Sequence, residues 1–254
     1  MRGGEYRLQR PAKKEEVDLP ESLDPLPALP LCDPGRDCPR CPRLLSFRTS
    51  NRKAFPAWHN APVPSFGDIG ARLLVVGLGP GLKGANRTGR PFTGDYAGEL
   101  LYPTLLKFGF AEGTYQAGRE ESAWQGDTLR LIDARVTNAV RCVPPQNKPL
   151  PAEIANCRPF LAAEIGAIKN LRVIVALGRV AHEAVLKALA LKPGPYRFAH
   201  GATHTLPDGY ILADSYHCSR YNTNTGVLTT PMFEAVFETA RRVLDGPGVR
   251  TGRR

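Results

Sequence analysis

The chain has no run approaching 18 consecutive apolar residues, so it holds no stretch long enough to span a bilayer as a helix. Its first residues, MRGGEYRLQRPAKKEEVDLP, are polar and mixed in charge, without the apolar core of a secretory signal. A cytoplasmic protein is therefore expected. Internal repeats are missing too, which argues against a solenoid or propeller. Only six of 254 residues are cysteine, and in a reducing compartment these are thiols or metal ligands rather than a disulfide framework. What is there is an ordinary globular composition, 42% hydrophobic and 23% charged, in a chain long enough to bury a core unaided. Lys and Arg number 34 against 24 Asp and Glu, a net +10. That excess suits a polyanionic partner, since released counterions favour nucleic-acid binding; the plainer reading is a basic soluble protein.

Residues 1–30 are rich in proline and charge and read as a loose tail with a docking segment. Residues 31–244 read as a single domain, and residues 245–254 as a basic, mobile tail. Within the domain, four apolar runs read as buried strands: RLLVVGLG from Arg72, LIDARVTNAV from Leu131, RVIVALG from Arg172 and YILADSYH from Tyr210. Helical stripes lie between and after them. One joins Ala97, Leu100, Leu101, Leu105 and Phe108, with Pro103 as a kink. A second joins Ile154, Cys157, Leu161, Ile165 and Ile168, and a third Val180, Ala184, Val185, Ala188 and Leu189. The last joins Met232, Phe233, Val236, Phe237, Ala240 and Val243. Strands alternating with helices imply crossover connections. The expected fold is a three-layer α/β/α sandwich around a central, mainly parallel four-stranded sheet. Ligands of such sheets bind at the carboxyl ends of the strands, which directs attention to the loops after Gly77, Val140 and Tyr216.

Cys38 and Cys41 form a C-x2-C pair, and Cys142 and Cys157 a C-x14-C pair about a hundred residues on. Four thiolates can hold a zinc ion or an iron–sulfur cluster. The alternative is four small core side chains, which suits the Pro-rich loop of Cys38 and Cys41 poorly. Cys32 and Cys218 lack such partners and read as structural.

The segment Gly79-PGLK-Gly84 formally matches the dinucleotide fingerprint after a strand. That motif must open a helix, whereas here NRTGRP follows and helical period returns only near Asp95. The phosphate-loop pattern fails as well, because Ala85 stands where lysine is required. What survives is a glycine-rich loop whose amides, with Arg87 and Arg90, suit phosphates.

Three segments carry a resemblance: GLGPGLKGANRTGRPFTGD from Gly77 to Asp95, NAVRCVPPQNKP from Asn138, and HCSRYNTNTG from His217. Together with the four cysteines, they resemble a family 5 (type B) uracil-DNA glycosylase, over a span from about Cys38 to Arg242. The resemblance implies an α/β/α sandwich, and a monofunctional hydrolase of base excision repair that removes uracil and other deaminated bases from DNA. It also implies a 4Fe-4S cluster on Cys38, Cys41, Cys142 and Cys157, with zinc the alternative.

Beside that resemblance the residues can be assigned roles. Such an enzyme must take the base out of the stack. Arg220 and Tyr221, with Asn222, follow His217 on a loop that can face DNA and fill the gap; Arg87 belongs to the same DNA-facing set. Phe92 can stack on the extruded base, or anchor its loop in the core. Asn138 offers donor and acceptor to a base edge, or is a satisfied strand-end amide. His217 can donate to the base carbonyl as charge builds there, helped by backbone amides near Gly79 and Gly81. Relatives carry a water-positioning residue early in the first motif, but Leu78 and Gly79 stand at those places. Asp95 is the nearest substitute, unless it serves only as a helix N-cap; Asn147 is a second candidate. The room left by Leu78 and Gly79 implies tolerance of deaminated purines such as hypoxanthine.

Two other functions are consistent with parts of the sequence: a non-catalytic nucleic-acid-binding module built on a four-cysteine metal site, and a dinucleotide-dependent oxidoreductase. The expected enzyme acts as a monomer in the cytoplasm, associated with the nucleoid when bound to DNA, and has no membrane partner.

Overall fold

The computed structural model describes residues 33–116 and 127–246. Along the chain run α1 (Pro42–Ala54), β1 (Phe66–Gly67), β2 (Leu73–Gly77), α2 (Ala85–Thr88), α3 (Tyr96–Lys107), β3 (Ala111–Glu112), β4 (Arg130–Leu131) and β5 (Ala134–Asn138). There follow α4 (Pro151–Ala167), β6 (Val173–Leu177), α5 (Arg179–Ala188), β7 (Thr203–Thr205), β8 (Ile211–Ser215), α6 (Arg220–Asn224) and α7 (Thr230–Asp245). The tails expected over 1–30 and 245–254 lie outside the described residues, save Asp245 at the end of α7 and Gly246. Cys32 lies outside them too.

The four apolar runs are the four central strands. They pair in parallel in the order β5-β2-β6-β8, with Gly77 opposite Asn138 and Leu177 opposite Ser215. The sheet is larger than the expected four strands. Two short edge strands complete it, β1 antiparallel to β5 and β7 antiparallel to β8. Strands of two or three residues carry no readable alternation, which is why the sequence did not reveal them.

Side chains on successive strand residues point to opposite faces. Leu73 and Val75 of β2 therefore join Leu101 and Leu105 of α3 and Phe233 and Phe237 of α7 in one core. Leu74 and Val76 join Leu161 and Ile165 of α4 and Ala181 and Val185 of α5 in the other. β6 divides in the same way, Val173 and Val175 to one side and Ile174 and Ala176 to the other. Both faces are covered, so the strands are apolar throughout.

The stripe read for α5 needs a correction. Val180 is exposed, and His182 takes a place on the buried face. Its Nδ1 lies 2.7 Å from Asp214 Oδ1 on β8, and its Nε2 lies 2.9 Å from the Tyr196 carbonyl oxygen. A carboxylate buried in a central strand needs polar partners, and the helix turns to supply one. The expected loop after Gly84 also holds a single helical turn, α2, before α3 begins.

Candidate active site

The carboxyl ends of β2, β5 and β8 open onto one cleft of about 640 Å³. Gly79 and Gly81 line it from the loop after β2, and Asp95 from the start of α3. Asn147 borders it from the segment after β5, and His217, Arg220 and Tyr221 from the loop and helix after β8. Lys83, Tyr96 and Ser219 line it as well and were missed; each lies within or beside a recognised motif but carries no signal of its own.

Asp95 does two things at once. Its Oδ1 accepts a hydrogen bond from the Ala97 amide at 3.2 Å, capping α3 as the N-cap reading requires. Its Oδ2 lies against Gly81 and Gly84, where a Cβ on either residue would meet it too closely. The Ala97 bond is made by one oxygen, and the other lies beside a wall of the cleft. Burial raises the pKa of this carboxyl above the usual aspartate value, against the opposing donors of Ala97 and Gly98.

His217 has no hydrogen bond on its ring among the described residues, and burial alone pushes its pKa down to about 4. The ring is neutral at pH 7 and keeps one N–H donor. Its backbone is pinned by Asn222, whose Nδ2 donates to the His217 carbonyl oxygen at 2.9 Å. This is a use of Asn222 beyond the expected contact with DNA: one N–H of its amide steadies the loop that carries His217.

Phe92 lies behind the open cleft rather than on its wall. Its ring centroid is 6.4 Å from that of His217 with the planes 29° apart, and it also packs in the α3/α7 core. Its φ of 56° is a left-handed conformation that an aromatic residue adopts only under tertiary constraint. The Phe92 ring and the Asn138 side chain meet over Gly77, where any Cβ would collide with both. Gly77 is thus the unrecognised member of the group, needed for this close approach. Asn138 is 3% exposed, and its side chain forms no hydrogen bond among the described residues. It is not the satisfied strand-end amide of the alternative reading.

At the rim, Arg220 is exposed and Tyr221 is 74% exposed, the most exposed large hydrophobic side chain among the described residues. Asn147 is exposed with φ 56°. Arg87 is half-buried on α2 and does not line the cleft. Arg90, expected to serve phosphates, turns inward: it pairs with Asp127 at 2.5 Å and lies over the rings of Phe66 and Tyr102. Its charge completes an internal ion pair.

The four cysteines come together away from the cleft. Cys41 is the N-cap residue of α1, Cys142 follows β5, and Cys157 sits on the buried face of α4. They lie close enough that ionising one disfavours ionising another, across all three segments. Burial pushes Cys142 up to about 12 and Cys157 up to about 11. Three sulfurs face N–H donors: Cys142 faces Arg48 at 3.2 Å, Cys157 the Arg141 amide at 3.4 Å, and Cys41 the Asn156 side chain at 3.8 Å. Donors aimed at sulfur suit an anionic sulfur centre better than four inert core residues. No three of the four sulfurs lie within 4.8 Å of one another. Cys218, by contrast, is an apolar core side chain.

Comparison with known proteins places these features in context. The sequence profile of the Uracil DNA glycosylase superfamily matches residues 64–241. The chain is 45% identical over 212 residues to the type-5 uracil-DNA glycosylase of Thermus thermophilus, covering 81% of this chain and 93% of that protein. It is 38% identical over 216 residues to the type-5 enzyme of Pyrobaculum aerophilum, covering 84% and 90%. With the type-5 enzyme of Mycobacterium tuberculosis it shares 40% over 215 residues, covering 81% and 78%.

Proposed function

The chain belongs to the uracil DNA glycosylase superfamily, and from that premise we propose that it is a monofunctional DNA glycosylase that hydrolyses the N-glycosidic bond of uracil. The observation that carries this reading is the meeting of Asp95 and His217 on one cleft, with Phe92 and Asn138 beside it over Gly77. No helix among the described residues is long and apolar enough to cross a membrane.

In the proposed reaction a deoxyuridine leaves the duplex, and its base enters the cleft toward Asn138 and Phe92. The unsatisfied Asn138 amide pairs with the base edge. The C–N bond breaks with its electron pair passing to the base, leaving an oxocarbenium-like sugar. Neutral His217 donates its N–H to the base carbonyl, where negative charge collects. Asp95 takes the proton of the attacking water through the oxygen that is not capping α3. The products are an abasic site and the base as its anion, which takes up a proton from solvent as Asp95 gives its own back, so that one water is consumed in all. A non-catalytic binding module has no use for such a convergence of donor, base and stacking ring.

The test is base release from duplexes carrying uracil, hypoxanthine or xanthine, read by strand cleavage at the abasic site. Uracil is expected to be released, with hypoxanthine accepted because Leu78 and Gly79 leave the cleft wide. Intact strands with all three substrates would leave only the binding module. Tyr221, exposed on α6, is the proposed filler of the emptied stack. Tyr221→Ala should slow release from duplex DNA about tenfold, the kinetic equivalent of roughly 1–3 kcal/mol of stacking at its low end. Release from single strands, which have no stack to refill, should be nearly unchanged.

The same reading places a 4Fe-4S cluster on Cys38, Cys41, Cys142 and Cys157. The N–H donors aimed at three of the four sulfurs support it. When bound, such a group supplies four iron–thiolate bonds that tie α1 to β5 and α4, and it takes no part in the hydrolysis above.

A further inference from the structure

α1 buries an unusual face. Leu44, Arg48 and Asn51 are its buried residues, spaced three and four apart on from Cys41, so the stripe that should be apolar carries a guanidinium. Arg48 is 1% exposed. It donates from one terminal nitrogen to Cys142 Sγ at 3.2 Å and from the other to the Cys38 carbonyl oxygen at 3.1 Å. Its Nε has no partner among the described residues. Among the described residues it forms no ion pair with a carboxylate. Asp37, which feels its charge, is exposed and pairs instead with Arg52 at 2.5 Å.

This arrangement is costly as it stands. A guanidinium stays protonated at any ordinary pH, and burying it without an anion is strongly unfavourable. Elsewhere in the same structure buried arginines are matched: Arg141 pairs with Glu164 and Asp33, each at 2.5 Å, and Arg135 with Glu164 at 2.6 Å. Arg48 is matched only by cysteine sulfur. Four thiolates around iron or zinc carry net negative charge, and would supply the missing anion.

We propose that Arg48 is the buried counter-charge of the four-cysteine centre, donating to the Cys142 sulfur and setting how tightly and at what potential the centre is held. The inference rests on those cysteines holding a metal-bound anionic group. Arg48 is a positioning residue in this scheme, remote from the cleft. Hydrogen bonds to ligand sulfur and nearby positive charge both favour the reduced, more negative form of an iron–sulfur cluster. Removing them lowers the reduction potential and makes the Cys142 thiolate easier to protonate and release.

The experiment uses the full chain, purified anaerobically, as wild type and as Arg48→Met, Arg48→Gln and Arg48→Lys. Metal analysis of the wild type comes first. Iron with acid-labile sulfide sustains the cluster. Zinc overturns the cluster while leaving the chelator measurement to judge Arg48, and the absence of both overturns the four-thiolate reading and this inference with it. With loaded protein, Arg48→Met is expected to lower the reduction potential and speed metal loss to a chelator about 10- to 100-fold, the range for losing an outer-shell partner of a ligand. Arg48→Lys, which keeps the charge, should return most of the potential. If Arg48→Met does not fold in loaded form, Arg48→Gln takes its place with the same expectation. Metal loss at the wild-type rate in the Met or Gln variant overturns the proposal. So does faster loss at an unchanged potential, equal in the Gln and Lys variants, which would reduce Arg48 to an anchor for the Cys38 carbonyl.

Discussion

Single-turnover release of uracil by His217→Ala is expected to fall about 100- to 1,000-fold below wild type, the usual loss when one donor to a developing oxyanion is removed. Affinity for the duplex should stay within a few-fold, because the ring lies in the cleft and not at the rim occupied by Arg220 and Tyr221. The reason is electrostatic. The departing base takes the electron pair of the broken bond, and its carbonyl needs a donor that is already in place. In the proposed mechanism His217 supplies one without carrying a charge, since burial pushes its pKa down to about 4. A neutral donor spends no proton on the ground state, so the step should show no ionisation of this ring between pH 5 and 8. The same depression has a consequence for stability. Between about pH 6.5, the unfolded value, and about pH 4, the unfolded chain binds a proton that the fold refuses. Stability therefore rises with pH across that window, by about 3 kcal/mol in all. His217→Asn, titrated against wild type by denaturant unfolding, should lose less stability on acidification. Parallel curves for the two proteins would show that the fold does not hold the ring neutral.

Asp95→Asn is the second large effect, expected at roughly 100- to 10,000-fold in the chemical step, the range for a general base. The substitution is chosen because asparagine caps a helix about as well as aspartate. The hydrogen bond to Ala97 can persist, and thermal stability should move little. Loss of rate without loss of fold would then assign the defect to the missing carboxylate. The pH dependence gives a separate reading. A base works only when ionised, and burial raises this carboxyl above the ordinary aspartate pKa. The wild-type rate should therefore climb with pH through a midpoint above the ordinary aspartate value, and the limb should vanish in the variant. A variant that keeps both the rate and the limb would move water activation away from Asp95.

How much of this was legible beforehand differs by kind of feature. The four central strands showed in the sequence because a strand covered on both faces is apolar along its whole length, as LLVV and VIVAL are. The strands at the edges, β1 and β7, were too short to show. Asp95 posed a choice between cap and catalyst that no pattern resolves; the two carboxylate oxygens turned out to lie in different places. Arg90 and Asn222 were read as reaching for DNA because they stand in motifs near the cleft. Their side chains also make contacts no motif foretells, Arg90 to Asp127 and Asn222 to the His217 carbonyl.

From its sequence alone the chain determined its layers and the strand ends whose loops carry the motifs, since strand period and loop motifs are local; that the four cysteines gather came from the resemblance, not from spacing. Only the tertiary structure decided which charges are spent inside. Arg48 meets Cys142 across 94 residues, Arg90 meets Asp127 across 37, and Gly77 lets Phe92 of one loop meet Asn138 at the end of β5. Such pairings depend on which distant segments the sheet brings into register, and a buried charge or amide must find its partner wherever that register places one.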